Sequence, residues 1–334
     1  MMKTGKKSTP PTVNYQEVTA EEAGQRLDNY LFRQCKGVPK SHIYRILRSG
    51  EVRVNKKRCA ADYRVRTGDT LRLPPLRVAE RAAPGARPAP LIDLPVLYED
   101  AALLVIDKPV GIAVHGGSGV SFGVIETLRR QRPEARFLEL AHRLDKETSG
   151  LLLIGKKRSA LNALHDMFRA AGQSADKRYL TLIRGCWMNC AQQVKAPLHK
   201  YLTESGERRV RVDAETGKAA HSVFRLLARW RRFSLLEGQL KTGRTHQLRV
   251  HLAHLGFPIL GDEKYGDFAL NKALQKEGLN RMALHAWRMD FPHPQEDRRL
   301  CLVAPPPAAL IDFIRHLDAV ETRSFSANEM ANIA

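Results

Sequence analysis

The chain is short of acid. It sets 35 Asp and Glu against 55 Lys and Arg, a formal net charge of +20 at pH 7 over 334 residues. A surplus of that size points to a polyanionic partner: RNA, DNA or an anionic membrane surface. The chain also lacks an apolar run long enough for a membrane-spanning helix, and it has no lipidation motif or basic amphipathic anchor. Nucleic acid is therefore the expected partner, and no membrane. Residues 1 to 14, rich in Lys, Thr and Pro, lack the apolar stretch of a signal peptide. Cysteine is sparse. Cys35, Cys59, Cys186, Cys190 and Cys301 form neither an even set nor a framework, which reads as reduced thiols in the cytoplasm.

Other absences narrow the chemistry. Cys186 and Cys190 have no matching second pair, which removes a zinc site. His246, His251 and His254 miss the four-residue step and the Glu of a zinc-protease helix. Gly116-Gly117-Ser118-Gly119 is followed by neither Lys-Ser nor Lys-Thr, so it is expected to be a flexible turn rather than a phosphate loop. Ser149, near His142, lacks the Gly-x-Ser-x-Gly elbow of a hydrolase. No metal and no cofactor is expected.

What is present divides into segments. Residues 1–14 read as a disordered tail, 15–74 as a first domain, 75–95 as a Pro-rich linker, 96–318 as a larger domain and 319–334 as a C-terminal tail. In the first domain, Thr19-Ala20-Glu21-Glu22 has capping-box form ahead of a helix bearing Leu27, Leu31 and Phe32, which should end near Lys36-Gly37. Ser41 can cap a second helix that turns Ile43, Ile46 and Leu47 inward and stops at Gly50. Short strands follow at Val52–Val54 and Thr70–Leu73. Lys40, Arg45, Arg48, Arg53, Lys56, Lys57 and Arg58 cluster around the second helix and the turn after it. A face so nearly free of acid suits phosphate better than water. In the larger domain, short strands and helices mix without the alternation of a doubly wound sheet. Ala102–Ile106 reads as a strand, Ser121 can cap a helix through Arg130, and Ser159–Ala170 is an amphipathic helix.

One stretch stands apart: His142-Arg143-Leu144-Asp145-Lys146-Glu147-Thr148-Ser149-Gly150, running into the apolar Leu151–Ile154. The apolar run reads as a buried strand and Thr-Ser-Gly as a turn, which holds Asp145 on a loop fixed to the sheet. By itself this fits a salt-bridged Asp beside Arg143. The motif nevertheless resembles the signature of the RluA-type ribosomal-RNA pseudouridine synthases. Lys177-Arg178-Tyr179-Leu180, Gly243-Arg244-Thr245-His246-Gln247-Leu248-Arg249, Gly261-Asp262 with Tyr265-Gly266, and Leu284-His285-Ala286 resemble the same family in order. Gln25–Asp28, Ser41–Arg48 and Gly50–Asn55 resemble the S4 RNA-binding domain.

The resemblance implies an α+β fold: a mixed, largely antiparallel sheet with flanking helices, preceded by a small S4 domain of two helices and short strands. It implies an isomerase that converts uridines of large-subunit ribosomal RNA, naked or in an assembly intermediate, to pseudouridine. Asp145 would be the essential carboxylate, Arg249 its salt-bridge partner, and Tyr179 a ring stacked on the uracil. His142 and Arg143 would support the flipped nucleotide. Lys40, Arg45, Arg48, Arg53, Lys56 and Lys57 would hold RNA, and a monomer is expected. The alternatives are a non-catalytic RNA-binding or ribosome-assembly protein, and a synthase acting on transfer RNA or another uridine.

Overall fold

A strand whose every residue is apolar or small has no face to give to water. Ser149–Gly155 is such a strand, buried along its whole length. The computed structural model, which describes residues 13–20, 22–35, 37–76, 92–116, 122–170 and 174–326, places it inside the larger of two units. The units are Met1–Pro88 and Ala89–Ala334.

The first unit orders β1 (Asn14–Glu17), α1 (Leu27–Gln34), α2 (Lys40–Arg48), β2 (Arg53–Val54) and β3 (Thr70–Leu73). β3 lies between β1 and β2, antiparallel to both. Leu27, Leu31, Ile43, Ile46 and Leu71 form its core, and Gly50 follows α2 with φ +72°.

Two expected caps differ. The Thr19 amide and hydroxyl do reach Glu22, both at 3.2 Å, but they close an isolated turn that Gly24 ends at φ +81°. α1 starts later, and its first amides, Leu27 and Asp28, donate instead to the carbonyls of Tyr63 and Ala61. Ser41 lies inside α2, not before it. Pro39 is the N-terminal flanking residue, with φ −57°, and its carbonyl accepts from His42 and Ile43. β1 was not anticipated.

The second unit is built on an eleven-stranded sheet, counted among the described residues. In chain order it contains β4 (Val96–Glu99), β5 (Leu103–Lys108), α3 (Val124–Gln131), β6 (Glu139–Leu140), β7 (Ser149–Gly155), α4 (Arg158–Arg169) and β8 (Asp176–Arg184). There follow β9 (Ala191–Lys195), β10 (Leu198–Leu202), β11 (Arg208–Val212), β12 (His221–Arg229), β13 (Phe233–Leu240) and α5 (Gln247–His254). The chain continues through α6 (Phe268–Lys276), β14 (Leu284–Pro292), β15 (Arg299–Val303), α7 (Ala308–Val320) and β16 (Phe325–Ser326). The main strand order is β16-β12-β13-β8-β14-β7-β5-β4, with β15, β6 and β9 added at β14, β7 and β12. β10 and β11 form a separate hairpin. Only the β14–β7 pair is parallel among the described strands, so the sheet is mixed and largely antiparallel.

β7 serves two cores. Leu152 and Ile154 pack with Leu104, Ile106 and Leu180 on one side, and Leu151 and Leu153 with Leu161, Leu164 and Phe291 of α4 and β14 on the other. This double burial explains a continuous apolar run where a half-exposed strand would alternate. Residues 319–326, expected as a tail, complete α7 and add β16 beside β12. Lys36, the Gly117–Gly119 turn, the Ser121 cap, most of the linker (77–91) and the tails 1–12 and 327–334 lie outside the described residues. Among the described residues, no helix is long and apolar enough to cross a membrane.

Gly150 makes the parallel pairing possible. It sits opposite Ala286 with φ +107°, and a Cβ there would lie 2.2 Å from the Ala286 oxygen. Gly150→Ala should cost roughly 2–5 kcal/mol through backbone strain and overpacking. A urea midpoint equal to the parent's would contradict this.

Candidate active site

Two short segments, more than a hundred residues apart, are fixed to the sheet and meet at one cavity. The first is the loop ahead of β7. Its turn is Lys146-Glu147, closed by Thr148 N donating to Asp145 O at 3.1 Å, and so lies two residues earlier than expected. Ser149 and Gly150 are drawn into β7 by β14, and the Ser149 hydroxyl lies 2.8 Å from His285 Nδ1.

The carbonyl of Lys146 is pinned from below. It accepts from Gly111 N at 2.9 Å and from Lys108 Nζ at 3.2 Å. Lys108 is fully buried and also donates to Pro109 O and Ile112 O, at 2.7 and 2.9 Å. Burial pulls its pKa down to about 7, while three carbonyls match the three hydrogens of its ammonium form. Asp145 is thus carried on a stiff support.

The second segment is the start of α5. His246 precedes the helix in a left-handed conformation, φ 54°. The side-chain oxygen of Gln247 accepts from Thr242 Oγ1 and Arg244 N at 2.7 and 3.0 Å, while its side-chain Nε2 donates to His221 O and Ser222 Oγ, both at 2.9 Å. These four bonds tie the Gly243–His246 loop and the helix start to β12. One turn on, Arg249 is 5% exposed and faces two carboxylates.

Asp262, itself 1% exposed, takes Arg249 Nε and one terminal nitrogen, each at 2.7 Å. The other terminal nitrogen reaches Asp145 Oδ2 at 3.2 Å. The expected Asp145–Arg249 contact is therefore present, but the two-pronged partner of Arg249 is Asp262. Burial opposes the charge on Arg249, yet its bonds and attraction to Asp262, then to Asp145, hold its pKa above the ordinary value. Burial also opposes the Asp262 anion, and the Arg249 bonds overcome it, so that carboxyl lies below its usual range.

On the opposite side of Asp145, Oδ1 faces His246 Nε2 at 3.7 Å. His246 Nδ1 lies 2.8 Å from the Tyr265 hydroxyl, whose oxygen accepts from Val210 N at 3.0 Å. Burial lowers the His246 pKa, against the pull of Asp145, and favours the neutral ring. Arg249 lies over the Tyr265 ring, 5.1 Å from its centre. Tyr179, on β8, is 7% exposed, and burial followed by the nearby Asp145 charge raises its pKa. It stays a neutral phenol.

Asp145, Tyr179, Arg249 and His246 line one cavity of about 480 Å³. Asp145 is its one carboxylate among the described lining residues, against six Lys and Arg that include Arg143, Lys177 and Lys241. A basic hollow around a single acid suits part of a polyanion that presents an uncharged group to the acid.

The remaining expected residues divide. His142 lines the cavity, but Nε2 accepts from Leu153 N at 3.1 Å and the ring packs edge-on against Phe168. Burial lowers it to about 3, so it orders the loop as a neutral acceptor. Arg143 is exposed at the cavity wall. Lys40, Arg45, Arg48, Arg53, Lys56 and Lys57 are all exposed in the first unit. His251 has both ring nitrogens engaged, by Ser222 Oγ at 3.0 Å and Ala196 O at 2.9 Å, which leaves none for a metal.

Asp262, Lys108 and the His246–Tyr265 pair were not assigned roles from sequence. A buried arginine implies a dedicated carboxylate, and Gly261-Asp262 was the available signal.

Known proteins supply an independent comparison. Residues 102–254 match the family described as RNA pseudouridylate synthase, and residues 25–71 match the S4 domain. The chain is 51% identical over 306 residues to ribosomal large subunit pseudouridine synthase C of Escherichia coli K12, covering 90% of this chain and 95% of that protein. The Haemophilus influenzae protein of the same name is 47% identical over 304 residues, with 90% and 94% covered. Among solved structures, human RNA pseudouridylate synthase domain containing 1 superposes with TM-score 0.58 at 23% identity, covering 74% of this chain and 95% of that one. Human RNA pseudouridylate synthase domain containing 4 gives 0.56 at 26%, with 70% and 95% covered. Both share the fold.

Removing Asp262 should strand a buried cation. Asp262→Ala is expected to lower stability by roughly 3–5 kcal/mol, read from urea unfolding at neutral pH. The sign with pH follows from its depressed folded pKa: the contribution is present above the ordinary 3.8 and fades as pH falls through the folded value. The gap between parent and variant should therefore narrow in acid, and a gap that widened would refute the assignment.

Proposed function

The chain belongs to the RNA pseudouridylate synthase family, and from that premise we propose that it converts uridines of large-subunit ribosomal RNA to pseudouridine, with Asp145 as the essential carboxylate. The observation that carries the reading is the cavity. Its one acid among the described lining residues is held by Arg249 at 3.2 Å, adjoins the neutral Tyr179, and is surrounded by cations. The ribosomal target is taken from the names of the E. coli and H. influenzae relatives, and it supports a cytoplasmic site of action.

In the reaction, the bond from N1 of uracil to the ribose breaks, the base turns, and C5 bonds to the same carbon. C5 loses its proton and N1 gains one, so no electrons enter or leave and nothing in the balance calls for a redox cofactor. The target base leaves its stack to enter the cavity, a few kcal/mol that unpaired or bulged RNA reduces. Arg249 keeps Asp145 aimed while water is displaced. Tyr179 offers a flat, uncharged ring to the uracil. Arg143, exposed beside the acid, holds the flipped nucleotide or its phosphate. Lys40, Arg45, Arg48, Arg53, Lys56 and Lys57 hold the surrounding RNA through its phosphates.

Asp145→Asn keeps the shape and removes the charge. Release of tritium from RNA labelled at C5 of uracil should fall to background, with RNA affinity within a few-fold of the parent. Full turnover by the variant would remove Asp145 from the mechanism. Loss of pseudouridine at particular ribosomal positions in cells lacking the protein, mapped by carbodiimide-stopped reverse transcription, would identify the targets. An unchanged ribosomal map would shift the reading to another RNA.

A further inference from the structure

The unanticipated strand builds a surface of its own. β1 precedes the S4-matched residues 25–71 and pairs with β3, whose other edge carries β2. Directly opposed residues on neighbouring strands project from the same face. Tyr15 opposes Arg72 and Arg72 opposes Arg53, so one row across the sheet reads Tyr-Arg-Arg. The alternate positions Leu71, Leu73 and Val54 enter the core, which puts this row on the outer face.

Tyr15 is 65% exposed, so its ring has little part in packing. With Arg53, Arg72 and Lys56 it lines a groove of about 990 Å³. Two like charges directly opposed on a sheet repel, and among the described residues neither arginine is matched there by a carboxylate. Arg72 donates to Glu51 O at 2.8 Å, and Arg53 donates to Gly50 O and Lys56 O, each at 3.4 Å. The nearby acids are Glu51, whose carboxylate accepts the Ser49 hydroxyl at 2.6 Å, and the exposed Glu17, opposite Thr70. An unspent aromatic face flanked by unneutralised guanidinium groups is the chemistry that binds single-stranded nucleic acid.

We propose that this sheet face is an RNA-contact site separate from the Arg45–Arg48 face of α2, stacking one unpaired base on Tyr15 while Arg53 and Arg72 take the adjoining phosphates. The inference rests on the RNA-binding reading of the first unit and deepens it. Its ligand is single-stranded, because a duplex keeps its base faces covered.

The test uses the full chain and a fluorescent oligouridylate of about 12 nucleotides, within the length such surfaces span, beside an RNA duplex of equal length. Tyr15→Ala should weaken single-strand binding roughly 5- to 150-fold, the loss of one stacked base, and leave duplex binding unchanged. Tyr15→Phe should bind like the parent, and Arg53→Ala should reduce the slope of log affinity against log salt by about 0.7. Unfolding midpoints of the Tyr15 variants check that the fold is kept. Parent-like binding by Tyr15→Ala, or equal losses on strand and duplex, would overturn the proposal. Arg45→Ala combined with Arg48→Ala separates the two readings. A loss there with none at Tyr15 sinks only the sheet-face site, whereas a parent without salt-dependent affinity sinks RNA binding by the unit and this site with it.

Discussion

A guanidinium buried from water needs its charge answered nearby. Arg249 is answered mainly by Asp262, through two bonds of 2.7 Å, and only its remaining nitrogen reaches Asp145 at 3.2 Å. This uneven sharing leaves Asp145 less committed to the arginine than Asp262 is. A carboxylate gripped by two nitrogens has both oxygens committed, and its affinity for a substrate proton or carbon falls with them. Asp145 lies within 3.2 Å of Arg249 and retains an open side, 19% exposed, toward the cavity. Asp262, absent from the cavity wall, neutralises the arginine so that Asp145 need not.

Position is held as firmly as charge. The support beneath Asp145 runs through the Lys146 carbonyl to buried Lys108, and the support beneath Arg249 runs through Gln247 to β12. The two loops therefore meet as ends of packed strands and a packed helix. A site held by such supports keeps its geometry when the substrate arrives, which is the condition for electrostatic stabilisation without reorganisation. The left-handed His246 belongs to the same arrangement, because it lets the chain turn into α5 while the ring faces Asp145.

How much was legible depended on how local each cause is. The Leu151–Ile154 run and the Ser159–Ala170 helix were readable because their apolar spacing reports burial directly. Gly50 was readable for the same reason: a helix end next to a glycine is a local pattern. The capping box at Thr19 misled because a satisfied turn is not a helix, and α1 drew its terminal partners from Tyr63 and Ala61, some thirty-five residues on. Thr148-Ser149-Gly150 has turn chemistry, but pairing of Ser149 and Gly150 with His285 and Ala286 overrode it. Asp145, Tyr179 and Arg249 were nominated through resemblance, and nothing local tied them together, whereas the fold brings them to one cavity. Asp262 was quoted within a motif without a role, since its task exists only once Arg249 is buried. β1 was missed because Asn14–Glu17 has no buried apolar side chain to announce it; its partner β3 supplies the order.

The charge of the whole molecule and the geometry of the cavity act together on a nucleotide. At physiological salt, fields between exposed charges fade beyond about 8 Å, so the +20 surplus concentrates RNA near the surface without aiming it. Aim has to come at short range. Around the cavity the cations attract phosphate, while the single carboxylate among the described lining residues repels it. The only part of a uridine nucleotide that can approach Asp145 without that repulsion is its neutral portion, the ribose and the base. The same field that draws the backbone to the rim thus turns the sugar and uracil inward, where a neutral Tyr179 adds no charge to oppose them. One acid among many cationic side chains, counted over the described lining residues, is therefore an orienting device, and a second carboxylate in the wall would weaken it.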